Sequence, residues 1–568
     1  MRQLLLLGGS IGLMLGWNMP NHYPLWTSFH GELAAALGLA MLFGGLVWPR
    51  PGAAAARLAM PLAGWGWLVV GLLPLAQFLA GRLAFRGDAA IGLLYGLGAA
   101  LGLYAGSLWA AKAGRETALR LLWVTILFGA ITAFAVALSQ WLGVAPGGWW
   151  AMPLIGARPF GNLGQPNQFA LLMLWGIVAA AALFEMRRIA SRAVLALVTL
   201  LLGLGIAISQ SRSALVATVL VGALWFLTRG RVGTRLRRRD VAAAVIVGVA
   251  LHYGLPAVEE RLYLSVAEVR PTFEAGPREA IWRHFAAAIA AHPWLGYGFG
   301  QGVMALAEVA TKVDPSRNTI YAHNVLLDLA TWYGAPVALA LSAAWAAWVF
   351  RWLRRDGNAA GAALARQRHL VFAVWLALAV QSLLEYPFAY AYFLLPAVLL
   401  AGSIGPLPKG VDERGSLDVR AARWVVGLAT GAVALLVTMS WEYLQLEEDF
   451  RAYRFERYKF EHRPEQTVLA NPIVLDQLAA LNASARFEPR PGMPLEEIER
   501  QHVLARRFHL LPTRIDYAKA LALNGRLAEA EEELRIIRSA YVPAEYARID
   551  RDWQSWKDAH RAELEPSR

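Results

Sequence analysis

"AVLALVTLLLGLGIAISQSRSALVATVLVGALWFL", residues 193–227, contains two apolar runs separated only by the polar turn Ser209 to Arg212. Each run approaches the roughly 20 residues that a helix needs to cross a hydrocarbon core about 30 Å thick. With so short a turn, the Arg212 guanidinium lies near the hydrocarbon boundary; a charge at a helix centre costs about 2.5–3.5 kcal/mol on insertion scales. Something anionic should answer it. An arginine that snorkels to the interface, or pairs with Asp328 or Glu385, would meet that requirement as well as one that binds a ligand.

The same pattern recurs along all 568 residues. Apolar stretches lie near 3–18, 31–48, 60–80, 90–110, 119–142, 168–185, 193–209, 213–228, 240–255, 323–350, 368–384, 388–405 and 421–440. The composition, 57% hydrophobic and 17% charged with 23 tryptophans, is too apolar for a soluble protein of this size. The expected fold is therefore all-α: a polytopic membrane protein of about 13 transmembrane helices. A transmembrane domain would occupy residues 1–440, with a large outer loop at about 256–322, and a charged, helical, soluble domain would occupy residues 441–568.

The formal charge of +13 would suggest nucleic acid in a soluble chain. Here the arginines concentrate in alternate short loops, such as "RETALR", "EMRRIASR", "TRGRVGTRLRRRD", "FRWLRRD" and "PLPKGVDERG". The positive-inside rule assigns those loops to the cytoplasm, so topology accounts for the basicity and no nucleic-acid partner is expected. The amino terminus is then cytoplasmic and, after an odd number of spans, the tail is outside, in the periplasm of a Gram-negative cell. The absence of cysteine fits that oxidising space. The first apolar segment lacks a small-residue cleavage site and reads as a retained anchor.

Once the sides are assigned, the unusual polar residues sort to the outer face. They fall in "WNMPNHYPLWTSFHGE", "RPFGNLGQPNQF", "ISQSRSALV", the long loop and "LLEYPFAYAYF". In the long loop, Arg278 and Trp282 are spaced to share one face of a helix that ends before Pro293. Such a helix could lie flat on the membrane and hold Arg278 over the bundle, or be a surface amphipathic helix and nothing more. Gly296, Gly298 and Gly300 lack the preceding strand and following Lys-Ser/Thr of a phosphate-binding loop. His323 opens the tenth span, followed by Asn324 and Asp328, with Gly334 allowing close helix approach. A lone histidine there could simply be interfacial. Its company, Arg212 and Arg278 with Gln165, Asn167, Glu385 and Tyr386 on the same side, favours chemistry: neutral imidazole accepts a proton near pH 7 and arginine binds phosphate bidentately. No metal motif is present, and Asp550-Arg551-Asp552 reads as a solvated helix face.

At these residues the chain resembles the bacterial protein O-oligosaccharyltransferases of the PglL type, within the O-antigen ligase superfamily. The similarity lies in "PNHYPLWTSFHGE", "RPFGNLGQPNQFA", "SQSRSALV", "REAIWRH…HPWLGYGFG", "AHNVLLDLATWYG" and "EYPFAYAYF", spread over residues 1–405. The tail's "DYAKALALNGRLAEAEEELRII" reads as one tetratricopeptide-style helical hairpin, and a tail of this size resembles the protein-directed ligases. The resemblance implies a glycosyltransferase of the bacterial inner membrane. It would move an oligosaccharide en bloc from a polyprenyl (undecaprenyl) diphosphate carrier to Ser/Thr of an exported protein such as a pilin. It casts His323 as general base on the acceptor hydroxyl or as the group that orients it, Arg212 and Arg278 as diphosphate ligands, and Gln165 and Tyr386 as substrate-binding, with Asn167, Asn324, Glu385 and Trp282 alongside. Direct displacement would invert the anomeric centre, and with arginines neutralising the leaving group no metal is expected. Ligation to lipid A-core and polymerisation of carrier-linked repeats share the same motifs. A lipid-linked sugar transporter or flippase is the alternative outside enzymes.

Overall fold

The computed structural model describes residues 1–48, 60–144, 149–262, 278–313, 319–354, 361–405, 419–458, 472–508, 510–540 and 543–564. These are helical with connecting turns. In chain order they form α1 (Arg2–Asn18), α2 (Phe29–Val47), α3 (Leu62–Leu79), α4 (Arg86–Ala113), α5 (Arg115–Trp141), α6 (Pro166–Glu185), α7 (Arg192–Ile208), α8 (Arg212–Val232) and α9 (Arg238–Arg261). There follow α10 (Arg278–Ala291), α11 (Gly302–Val309), α12 (Val325–Tyr333), α13 (Ala335–Arg354), α14 (Gly361–Ser382), α15 (Ala391–Ile404) and α16 (Val419–Arg457). The tail adds α17 (Asp476–Ala485), α18 (Leu495–Phe508), α19 (Leu511–Leu523), α20 (Leu527–Arg538) and α21 (Pro543–Ala559), then one last turn.

Among the described residues, 9 helices are long and apolar enough to cross a membrane, and α7, α13 and α15 contribute shorter apolar helices. The chain is thus an all-α multi-pass membrane protein. Two expected boundaries differ. The stretch 323–350 is not one span: it breaks at Gly334, whose φ of 84° ends α12, and a nine-residue α12 is only about 14 Å long. The long loop begins later than 256, because α9 continues through Pro256 to Arg261. Part of that loop, 263–277 and 314–318, and the basic segment "PLPKGVDERG" lie outside the described residues.

The chain forms two compact units, one of Met1–Gly71, Leu94–Thr272 and Arg351–Val437, the other of Leu72–Leu93, Phe273–Phe350 and Thr438–Arg568. In the first, α1 and α2 pack backbone to backbone: a Cβ on Gly12 would sit 2.7 Å from Gly38 Cα, and one on Gly38 2.7 Å from Leu13 N. With no hydrophobic drive between helices in lipid, such small-residue contact is what dispersion forces can use. The core holds the fully buried Trp17, Trp123 and Trp175. Two of their ring N–H groups are satisfied: Trp123 Nε1 donates to Gln367 Oε1 at 2.8 Å and Trp175 Nε1 to Val374 O at 3.2 Å.

The second unit is fastened by carboxylates. Asp476, at the start of α17, accepts the first N–H groups of α4, from Arg86 at 3.2 Å and Gly87 at 3.0 Å. Those are donors that a helix N-terminus cannot satisfy itself. Glu442 on α16 does the same for Val474 and Leu475, at 3.0 and 2.8 Å. Buried Asp88 receives a two-pronged bond from Arg507 on α18, at 2.8 and 2.6 Å, and one from Gln301 at 3.2 Å. Helices α19 and α20 are joined by the buried pair Arg514–Glu533. Removing one member of a buried pair strands the other, at a cost of about 3–5 kcal/mol. Arg507→Met should therefore loosen residues 495–538, seen as faster amide exchange there, and adding Asp88→Asn should recover most of the protection.

Candidate active site

Polar groups gather where the helices of the first unit end. Gln165 is the N-cap of α6, with Pro166 in its first turn. Asn167 Nδ2 donates to Glu385 Oε1 at 2.8 Å and Gln165 Nε2 to Glu385 Oε2 at 3.5 Å. Glu385 is 4% exposed, in the turn between α14 and α15. Burial pushes the neighbouring Tyr386 hydroxyl above its ordinary pKa, and the Glu385 charge adds to the shift.

Arg158 extends this network. Its Nη2 donates to Asn167 Oδ1 at 3.2 Å while its Nε donates to Ser209 O at 2.7 Å, in the α7–α8 turn. In that turn Gln210 has φ 49°, in the left-handed region that few non-glycine residues occupy. Ser211 caps α8 by accepting from Ala214 N at 3.3 Å. Arg212 is thereby fixed as the first residue of α8, half-buried. Of the expected residues, the first unit brings together Gln165, Asn167 and Glu385, places Tyr386 beside them, and ties them through Arg158 to the turn that carries Arg212.

Nearby in space lies a second cluster to which the sequence alone gives no role. Glu32 on α2 is buried and accepts from Ser28 Oγ at 2.5 Å, from Trp26 Nε1 at 3.3 Å and from the Tyr95 hydroxyl. Tyr95 also donates to Ala389 O at 2.8 Å, beside Tyr386. His22 donates from Nε2 to Asn162 O at 2.8 Å, and burial lowers its pKa. Both Arg158 and Glu32 sit inside quoted motifs. The available signal was an ionisable residue in an apolar setting, which in a membrane points to function.

In the second unit the expected residues are His323, Asn324, Arg278 and Trp282. Arg278 opens α10, and one turn on Trp282 Nε1 donates to Ala322 O at 2.9 Å. Ala322 N in turn donates to Asp328 Oδ1 at 2.8 Å. On the other side Asn324 Oδ1 caps α12, accepting from Leu326 N at 3.0 Å and Leu327 N at 3.4 Å. His323 lies between these two anchors with φ 54°. Strain of order 1–3 kcal/mol at such a residue persists only where its surroundings over-determine it. Here a buried alanine peptide bonded on both sides, and a helix cap, do so.

The glycines of "WLGYGFG" serve the same structure. Tyr297 N and Gly298 N donate to Thr331 O and Trp332 O, at 2.7 and 3.1 Å, satisfying the last carbonyls of α12. Gln77 Nε2 joins them on Trp332 O at 2.8 Å. A Cβ on Gly334 would sit 2.2 Å from Trp294 O, so only glycine allows the approach. No group of three or more His, Cys, Asp or Glu that could hold a metal is found among the described residues.

Asp328 is buried, and its Oδ2 finds no partner among the described residues. Burial drives its carboxyl up to about 8. The folded state therefore holds a proton there that the unfolded chain, at about 3.9, releases. The stability this gives is full below pH 4 and is lost as pH rises through 8. Asp328→Asn keeps an acceptor for Ala322 N and removes the titration. Thermal midpoints measured from pH 5 to 9 should fall less steeply for that variant than for the wild type.

Residues 195–342 match the O-antigen ligase family model, residues 159–184 the protein glycosylation ligase model, and residues 369–555 the model for the C-terminal part of a virulence factor membrane-bound polymerase. The first covers Arg212, Arg278 and His323, the second Gln165 and Asn167, the third Glu385 and Tyr386. The chain is 29% identical over 449 residues to a general O-oligosaccharyltransferase of Acinetobacter baylyi, covering 75% of this chain and 74% of the relative. It is 25% identical over 391 residues, 68% of each, to a ComP-specific O-oligosaccharyltransferase of the same organism. Together with the clusters at the helix ends, these matches mark the chain as a membrane glycosyltransferase similar to the PglL-type protein O-oligosaccharyltransferases of the O-antigen ligase superfamily.

Proposed function

We propose that the protein moves an oligosaccharide in one step from a polyprenyl diphosphate, undecaprenyl diphosphate in bacteria, to a serine or threonine hydroxyl of an exported, pilin-like protein. The observation that carries this reading is His323: a titratable side chain on a strained, doubly anchored residue, on the segment that Trp282 ties to the helix beginning with Arg278. Fixing a base in position before substrate arrives is how an enzyme removes the entropy cost of orientation from the reaction.

In the proposed step the acceptor oxygen attacks the anomeric carbon as its proton passes to His323. The bond from that carbon to the diphosphate oxygen breaks, and the electron pair leaves with the diphosphate. Arg212 and Arg278 neutralise the charge that develops on it, as fixed guanidinium groups can without losing their own. Gln165, Asn167 and Asn324 offer amides to the sugar or the acceptor, Tyr386 offers a hydroxyl, and Glu385 orients Gln165 and Asn167. Attack opposite the leaving group inverts the anomeric centre. The protein would lie in the bacterial inner membrane with its amino terminus cytoplasmic, as the arginine-rich loops favour. The domain formed by residues 441–568 would then be periplasmic, where acceptor proteins arrive.

A second reading, ligation or polymerisation on a lipid acceptor, draws on the polymerase description of residues 369–555. The relatives' names favour a protein acceptor.

Purified His323→Ala, given polyprenyl diphosphate oligosaccharide and a pilin-like acceptor, should lose at least about a hundredfold in transfer, the lower end of general-base contributions, while still binding donor. Transfer at the wild-type rate would remove His323 from the chemical step. Product made only on a lipid A-core acceptor would keep the step and change the acceptor. Wild-type transfer should also persist in excess EDTA; loss that magnesium restores would show that the arginines do not suffice.

A further inference from the structure

The first unit contains a cavity of about 630 Å³ among α6, α7, α8, α9 and α14. Its mouth is at the end of these helices opposite to Arg212, Asn167 and Glu385. Its polar rim is Glu185, Arg192, Arg239, Asp240 and Arg366. These residues stand at the C-terminal end of α6 and near the N-terminal ends of α7, α9 and α14, one helix length from the Arg212 turn. From this rim an apolar channel runs inward to Leu174, Ile206, Leu215 and Leu251. At 1.5 Å per residue, Glu185 to Leu174 spans about 16 Å and Arg192 to Ile206 about 21 Å. The depth of one leaflet of a hydrocarbon core is about 15 Å. The cavity is therefore long, lined along its depth mostly by apolar side chains, and ionic only at its mouth.

The charge at the mouth selects among amphiphiles. Its carboxylates are already engaged. Glu185 accepts Arg235 N at 3.1 Å and Leu236 N at 3.0 Å and pairs with Arg366 at 3.5 Å, while Asp240 is paired with Arg192. Three arginines against two carboxylates leave the rim at +1, with Arg235, Arg237 and Arg238 flanking it. Arg239 is only 3.9 Å from Asp240 and has a side chain 74% exposed, so its guanidinium is available to a further anion. Basic pockets between transmembrane helices suit anionic headgroups.

We infer that this cavity binds an anionic glycerophospholipid of the surrounding leaflet, one acyl chain in the channel and the headgroup phosphate on Arg239 and the rim. The charged mouth lies a helix length from the Arg212 turn, and the inner end of the channel, at Ile206 and Leu215, stops three residues short of it. A seated lipid would fill the space between α7, α8 and α9 that the side chains leave open, and so act as part of the bundle's packing.

Two glycines line the channel where an added side chain would enter open space: a Cβ at Gly203 or Gly248 has no neighbour within 4 Å. Detergent-purified protein incubated with phosphatidylglycerol or phosphatidylcholine, then gel-filtered, can be read by native mass spectrometry. Wild type should retain phosphatidylglycerol at one per chain and severalfold above phosphatidylcholine, and Gly203→Phe or Gly248→Phe should lose it severalfold. Arg239→Gln, an exposed change that does not depend on repacking, should abolish the preference for the anionic lipid at an unchanged thermal midpoint. Equal retention of both lipids, or undiminished phosphatidylglycerol in folded Gly203→Phe or in Arg239→Gln, would overturn the inference. Stoichiometric displacement by undecaprenyl phosphate would also overturn it and assign the cavity to the carrier.

Discussion

A hydrocarbon interior offers nothing to a peptide N–H or C=O, so every departure from helix must be satisfied by the chain itself. The structure follows from that constraint. Where helices turn, side chains are recruited to the exposed backbone: Arg158 to Ser209 O, Trp282 to Ala322 O, and Gln77 to Trp332 O. Each recruited group is fixed in the act, and the residues beside it are fixed too. The places where the helical ladder fails thus become the most rigidly specified in the molecule, which is the property a reactive centre needs.

The helical fold was legible because apolar run length is a strong signal in a membrane chain, and runs such as 193–227 leave little alternative. Boundaries were less so. Residues 323–350 read as one span because hydropathy averages over Gly334, whose backbone angle and contact with Trp294 are set by residues some forty positions away in sequence. Pro256 read as a stop, but α9 carries it one turn before its end. Within the site, the association of Gln165 and Asn167 with Glu385 could be anticipated from a shared side of the membrane. The parts played by Arg158 and Glu32 could not, since a motif shows which residues are near in sequence and not which carbonyl or hydroxyl they will meet after folding.

The two halves of the expected chemistry rest on different kinds of support. Arg212 is held through a side-chain network that starts at a buried carboxylate, whereas His323 is held through its own backbone neighbours. Replacing Glu385 or Arg158 removes a charge as well as a position, while replacing Trp282 removes the bond to Ala322 O and no charge. Mutational data from the two regions would therefore differ in their dependence on salt and pH even where the loss of rate is the same.

The cap that Asp476 places on α4 joins residues 390 positions apart. During synthesis, the first turn of α4 emerges with its N–H groups unanswered by any carboxylate of the chain, and its partner is made only after most of the protein already exists. Asp88, two residues further on, likewise waits for Arg507. The second unit consequently cannot be completed by domain-wise folding from the amino terminus. A chain cut short before residue 476 would leave the first turn of α4 without Asp476 and Asp88 without Arg507.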